Sequence, residues 1–153
     1  MKNALCVFVL ALVLASCTSK EQKELANNPF MKEYSTPFGV PPFDQIKSNH
    51  FVPAFMEGMR QHALEIDSIV TNPEAPTFEN TIVKLDQSGK LLYKVSRVFF
   101  NLTEANTNDS IQVINEEISP LLSKHRDDIN LNEKLFARVK AIYENKDSLN
   151  LNA

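Results

Sequence analysis

Apolar side chains recur every three to four residues along most of this chain, and that spacing predicts helices. Phe51, Phe55, Met59, His62, Ile66 and Ile69 form one stripe, with Glu57, Arg60, Gln61 and Glu65 on the other faces. The helix they predict opens near Asn49 or His50. It takes Pro53 in its first turn, where backbone N–H groups are unpaired anyway, and stops at Asn72-Pro73. A second stripe of Phe78, Ile82, Leu85, Leu92, Val95, Phe99 and Leu102 predicts one helix from about Phe78 to Glu104, with Thr77 as its cap. Gly89 falls on this stripe, where glycine costs ~1 kcal/mol against alanine and admits a neighbouring backbone. Leu91, Val98 and Phe100 widen the apolar surface and are expected to pack against a further section of protein.

Asn106-Thr107-Asn108-Asp109 reads as a turn, and Asp109 with Gln112 resembles a capping box. The third helix then presents Ile111, Ile114, Ile118, Leu121, Leu122 and His125, with a kink expected at Pro120. The last helix starts after Asn132, with Leu135, Phe136, Val139, Ile142 and Tyr143 expected inward. The fold class is therefore all-α: about four mostly antiparallel helices joined by short links.

Residues 28–48 break the pattern. Pro29, Pro37, Pro41 and Pro42 forbid a regular helix, while Phe30, Tyr34, Phe38, Val40 and Phe43 argue against a free linker. The expectation is an extended arm whose rings dock on the helical body of residues 49–153. Ahead of it, Lys2 and the apolar run Ala4–Ala15 have the length and flanks of an export signal, too short for the ~20 residues of a bilayer span. The run ends Leu14-Ala15-Ser16-Cys17, which looks like a bacterial lipobox. On that reading residues 1–16 are a signal peptide, Cys17 carries the lipid that anchors the chain to a membrane, and 17–27 form a tether. The expected location is the bacterial cell envelope, most simply facing the periplasm. Removal of Cys6 with the leader would leave no partner for a disulfide.

Composition adds little beyond class. The chain has 153 residues, 43% of them hydrophobic, which suits one globular domain. Loss of residues 1–16 leaves 15 basic against 19 acidic residues, a net charge of −4. No basic stripe is present, so nucleic acid is not an expected partner.

No complete catalytic centre emerges. His50 and His62 are twelve residues apart and His125 is distant in sequence, so no pair has the i,i+4 spacing that places two imidazoles on one metal. No glycine-rich phosphate loop or nucleophile elbow is evident. Hence no catalytic residue, no metal ligand and no bound cofactor are assigned to this chain.

Several blocks carry a resemblance. They are Ser35–Asp44 (STPFGVPPFD), His50–Phe55 (HFVPAF), Asn72–Thr81 (NPEAPTFENT), Ser96–Leu102 (SRVFFNL), Ile118-Ser119-Pro120, Leu131-Asn132 and Leu135–Val139 (LFARV). In this order they resemble the start of the thimet-oligopeptidase-like zinc metallopeptidases, in the peptidyl-dipeptidase (dipeptidyl carboxypeptidase) branch. The resemblance implies a partial section of a large helical fold that walls a deep channel. It implies short peptides as substrates of the whole enzyme, and zinc held by an HExxH helix and a later glutamate. This sequence contains no HExxH, so no zinc ligand transfers to any residue here. A missing C-terminal catalytic section is then the expected partner. Two other readings stay open: a stand-alone lipid-anchored binding module, and an inactive relative that captures peptides.

Overall fold

The first stripe forms a helix as its spacing predicts. In the computed structural model, which describes residues 22–149, α1 spans Phe51–Val70. Phe51, Phe55, Met59, Ile66 and Ile69 are buried along it and His62 is half-buried. Thr71 closes it, its N–H and hydroxyl both donating to the Asp67 carbonyl, and Pro73 follows.

The second stripe is not one helix. A π-helical turn, Phe78–Val83, runs into a short α-helical piece, Lys84–Asp86, and only then does α2, Lys90–Ala105, begin. Gly89 separates the two with φ +69°, a left-handed conformation that ends helices and that glycine adopts without steric cost. The expectation of a continuous helix through Gly89 is corrected on that ground. Thr77 does cap the π-helical turn, accepting from the Asn80 N–H at 3.1 Å while Asn80 Oδ1 accepts from the Thr77 N–H at 2.9 Å.

The close approach expected at Gly89 occurs at Gly58 instead. A Cβ built there would lie 2.9 Å from Leu92 Cα and 3.0 Å from Leu92 N, so the backbones of α1 and α2 touch. Their contact generates the core. Phe99 sits 5.1 Å from Phe51 and 5.3 Å from Phe55, centroid to centroid, edge-on in both cases. Phe30, Ala54, Val95, Val98, Ile111, Ile114 and Ile118 complete the cluster.

Helix α3 spans Asp109–Asn130 and α4 spans Glu133–Glu144. Asn108, one residue before the expected position, is the α3 cap, its side chain accepting from the Ile111 N–H at 3.1 Å. Pro120 lies inside α3 without ending it. Asn132 caps α4 in the same way through the Leu135 N–H. Leu135 and Ile142 face inward as expected, but Phe136 and Tyr143 are exposed, and the inward register takes Arg138 instead. A second, smaller core joins Ile66, Ile69 and Leu135 where α4 meets α1.

Residues 28–48 form an arm with short 3-10 turns at Pro29–Met31 and Pro37–Gly39, and a third turn, Ser48–His50, leads into α1. The first part of the arm docks. Phe30 is buried against Phe51 at 5.3 Å, and Asn28 Nδ2 donates to the His50 carbonyl at 2.7 Å. Lys94 Nζ donates to the carbonyls of Phe30 and Lys32 and lies 3.9 Å from the centroid of the Tyr34 ring. Phe38, also expected to dock, stands in solvent, and Val40 and Phe43 are about half-exposed. All described elements are helical, with no strand among the described residues. Cys17 and the apolar run before it lie outside the described residues.

Candidate functional site

Two polar constellations lie in the packed body, and both join segments distant in sequence. The first is a histidine pair. His62 comes from the inward face of α1 and His125 from that of α3. His125 Nε2 lies 3.0 Å from His62 Nδ1, with ring centroids 5.0 Å apart. His62 Nε2 lies 3.1 Å from Ser88 Oγ, and the Ser88 hydroxyl donates to the Leu85 carbonyl at 2.6 Å. With its proton so committed, Ser88 can only accept from His62 Nε2–H. The network therefore assigns His62 a free Nδ1 lone pair, which accepts from His125 Nε2–H. Gly89 completes the junction: its N–H donates to Glu65 Oε2 at 2.7 Å, and a Cβ there would lie 3.0 Å from the His62 ring.

Burial, the neighbouring His125 charge and, in opposition, Glu65 act on His62, and the net effect lowers its pKa. Burial also lowers that of His125, with Asp128 opposing and Lys124 assisting. Both histidines thus bind fewer protons folded than unfolded. Their stabilisation is complete above the unfolded pKa of about 6.5 and is lost as pH falls below it. Protonated His62 would also turn a donor toward His125 Nε2–H. Urea midpoints are therefore expected to fall from pH 7.5 to pH 5, and His125→Gln should flatten the slope. An unchanged slope in that variant would remove the pair from the account.

The second constellation centres on Arg138, buried on α4. Its Nε donates to Thr81 Oγ1 at 3.2 Å, and Nη1 to the carbonyls of Asn72 and Glu74 at 3.1 and 3.2 Å. Nη2 donates to Asn80 Oδ1 at 3.0 Å. Every acceptor is neutral. A guanidinium, always protonated, cannot serve as a base, so its role here is to hold the 72–81 loop on α4. The signal was legible: Leu135, Arg138 and Ile142 share a helical stripe.

Among the described residues, no group of three or more His, Cys, Asp or Glu side chains is placed to hold a metal ion. The histidine pair does not fit a catalytic zinc, because its facing nitrogens are engaged with each other and no third ligand joins them. Of the residues expected to face a further section, Val98 is only 4% exposed and Leu91 packs half-buried on the core. Phe100 is 39% exposed.

No family model matches the chain. It is 47% identical over 126 residues to the dipeptidyl carboxypeptidase of Escherichia coli, which covers 82% of this chain and 18% of that protein. The chain is thus related, over most of its length, to the zinc peptidases of the dipeptidyl carboxypeptidase and oligopeptidase kind. It is also 46% identical to the Salmonella typhimurium dipeptidyl carboxypeptidase over 127 residues, 83% of this chain and 19% of that one. Oligopeptidase A of the same organism is 22% identical over 117 residues, 76% of the chain and 17% of the relative. The chain spans less than a fifth of the length of these relatives.

These comparisons overturn the expected envelope placement. The proteins matched over 82% and 83% of the chain are both dipeptidyl carboxypeptidases, and those matched over 76% are both oligopeptidase A. Among the described residues no helix is long and apolar enough to cross a membrane.

Proposed function

We propose that this chain is a non-catalytic, N-terminal section of a zinc oligopeptidase of the peptidyl-dipeptidase kind. It walls the substrate channel while a separate catalytic section supplies HExxH, the zinc and the water-activating glutamate. The identity of 47% over 126 residues to a dipeptidyl carboxypeptidase carries the reading. The Arg138 cradle supports it physically. It ties Asn72–Thr81 to Leu135–Val139, so two of the resembling blocks serve one packing arrangement. Short peptides are then substrates of the whole enzyme, and this section limits which chains enter.

A chimera tests the proposal. The matched segment of the Escherichia coli dipeptidyl carboxypeptidase is replaced by the corresponding residues of this chain. The chimera is expected to release dipeptides from short peptides with zinc bound, while this chain alone with excess zinc does not. A folded, zinc-loaded chimera without turnover would refute the reading, as would metal-dependent cleavage by this chain alone.

A further inference from the structure

Phe38 breaks two local rules at once. It is 104% exposed, the most exposed large hydrophobic residue described, and its backbone is left-handed, at φ +60° and ψ +14°. Both states are disfavoured for a bulky aromatic, whose Cβ crowds the following carbonyl. Gly39 follows at φ +66°, so two successive left-handed residues shape the tip.

The turn is held closed. The Thr36 hydroxyl donates to the Val40 carbonyl, the Gly39 N–H donates to the Thr36 carbonyl at 3.1 Å, and the Val40 N–H donates to the Pro37 carbonyl at 3.4 Å. Buried Phe30 and half-buried Lys94 fix the base of the arm. Val40 and Phe43 are about half-exposed beside the tip. Asparagine or glycine would suit this backbone better and keep the turn polar. A phenylalanine held here therefore points to what its ring contacts, since departures from local consistency concentrate at functional positions.

We propose that the Phe38 turn is a pre-formed docking knob that seats its ring in an apolar pocket of the catalytic section of a dipeptidyl-carboxypeptidase-like protein. The inference rests on the functional reading above. The size of the relatives argues for this occupant: the chain accounts for 18% of the Escherichia coli protein, so most of such an enzyme is available to cover the tip. A rigid aromatic whose ordering cost is already met is the side chain that anchors interfaces most effectively.

The test compares thiol accessibility in two settings. Phe38→Cys is made in the full chain with Cys6→Ser and Cys17→Ser, and in the chimera, and maleimide labelling at position 38 is followed by mass spectrometry. Labelling is expected to be fast in the free chain and about tenfold slower or more in the chimera, as seating of an anchor requires. Equal rates overturn the docking, whether or not the chimera is active. Protection in a chimera without turnover supports docking while the functional reading fails. Protection that grows with concentration in the free chain assigns the tip to a second copy, and overturns the proposed occupant.

Phe38→Asn supplies an opposite-signed check. In the full chain it should raise the thermal midpoint by roughly 2–5 °C, because asparagine tolerates the left-handed backbone. In the chimera it should lower the midpoint. A rise in both would show that the ring seats nowhere.

Discussion

Arg138→Ala is expected to destabilise the chain by about 3 kcal/mol, seen as a lower urea midpoint with an unchanged slope. The guanidinium makes four hydrogen bonds to one loop and one neighbouring turn. Bonds to a charged group contribute ~1.5–3 kcal/mol each when isolated, but these four share one group and do not add. Part of the loop is exposed, so water recovers some of the loss. Arg138→Lys should restore only a minor part, since an ammonium cannot reach Thr81, Asn80 and two carbonyls in one plane. A deficit below about 1 kcal/mol for Arg138→Ala would mean that the loop stands without its clamp. In the chimera the same change is expected to weaken stability before it touches turnover, because no acceptor of Arg138 is a chemical group of catalysis.

The helices were legible because period reports which face is buried. The α1 stripe, the caps at Thr77 and Asn132, and the docking of Phe30 follow from local rules. The break at Gly89 escaped that logic for a physical reason. Leu85 and Leu92 lie on either side of it and both meet apolar neighbours, so the stripe stays in phase although the helix does not continue. Handedness at one residue leaves no mark on periodicity. Phe136 and Tyr143 face solvent because hydrophobicity alone does not choose the face of α4. The register of Leu135, Arg138 and Ile142 chooses it instead, and that register admits a cation once the 72–81 loop supplies acceptors. The His62–His125 contact needed the pairing of α1 with α3, which no local spacing encodes. Each histidine does lie on an inward stripe, and that was its one legible sign. What identifies the chain chemically was carried by the ordered blocks of resemblance rather than by any catalytic residue.

Gly58→Val is expected to destabilise by about 3 kcal/mol, and the reasoning turns on two opposed terms. Glycine inside a helix is worth ~1 kcal/mol less than alanine, so adding a methyl group would stabilise α1 if space allowed. Space does not allow it. The new Cβ would meet Leu92 Cα at 2.9 Å and Leu92 N at 3.0 Å, and these backbone atoms of α2 cannot rotate away as a side-chain tip could. The two helices must part, which loosens the edge-on contacts of Phe99 with Phe51 and Phe55. Overpacking of this kind costs ~1–3 kcal/mol, so Gly58→Ala should come out near 1 kcal/mol destabilised after its propensity gain is counted. Valine adds two methyl groups and forgoes most of that gain through its branched Cβ, which places it at the upper end. The double variant Gly58→Val with Leu92→Ala separates the causes. Trimming the Leu92 side chain should recover little, because the obstruction is main chain. Full recovery would assign the contact to side-chain crowding, and a Gly58→Ala variant more stable than the parent would show that α1 and α2 can separate freely at this crossing.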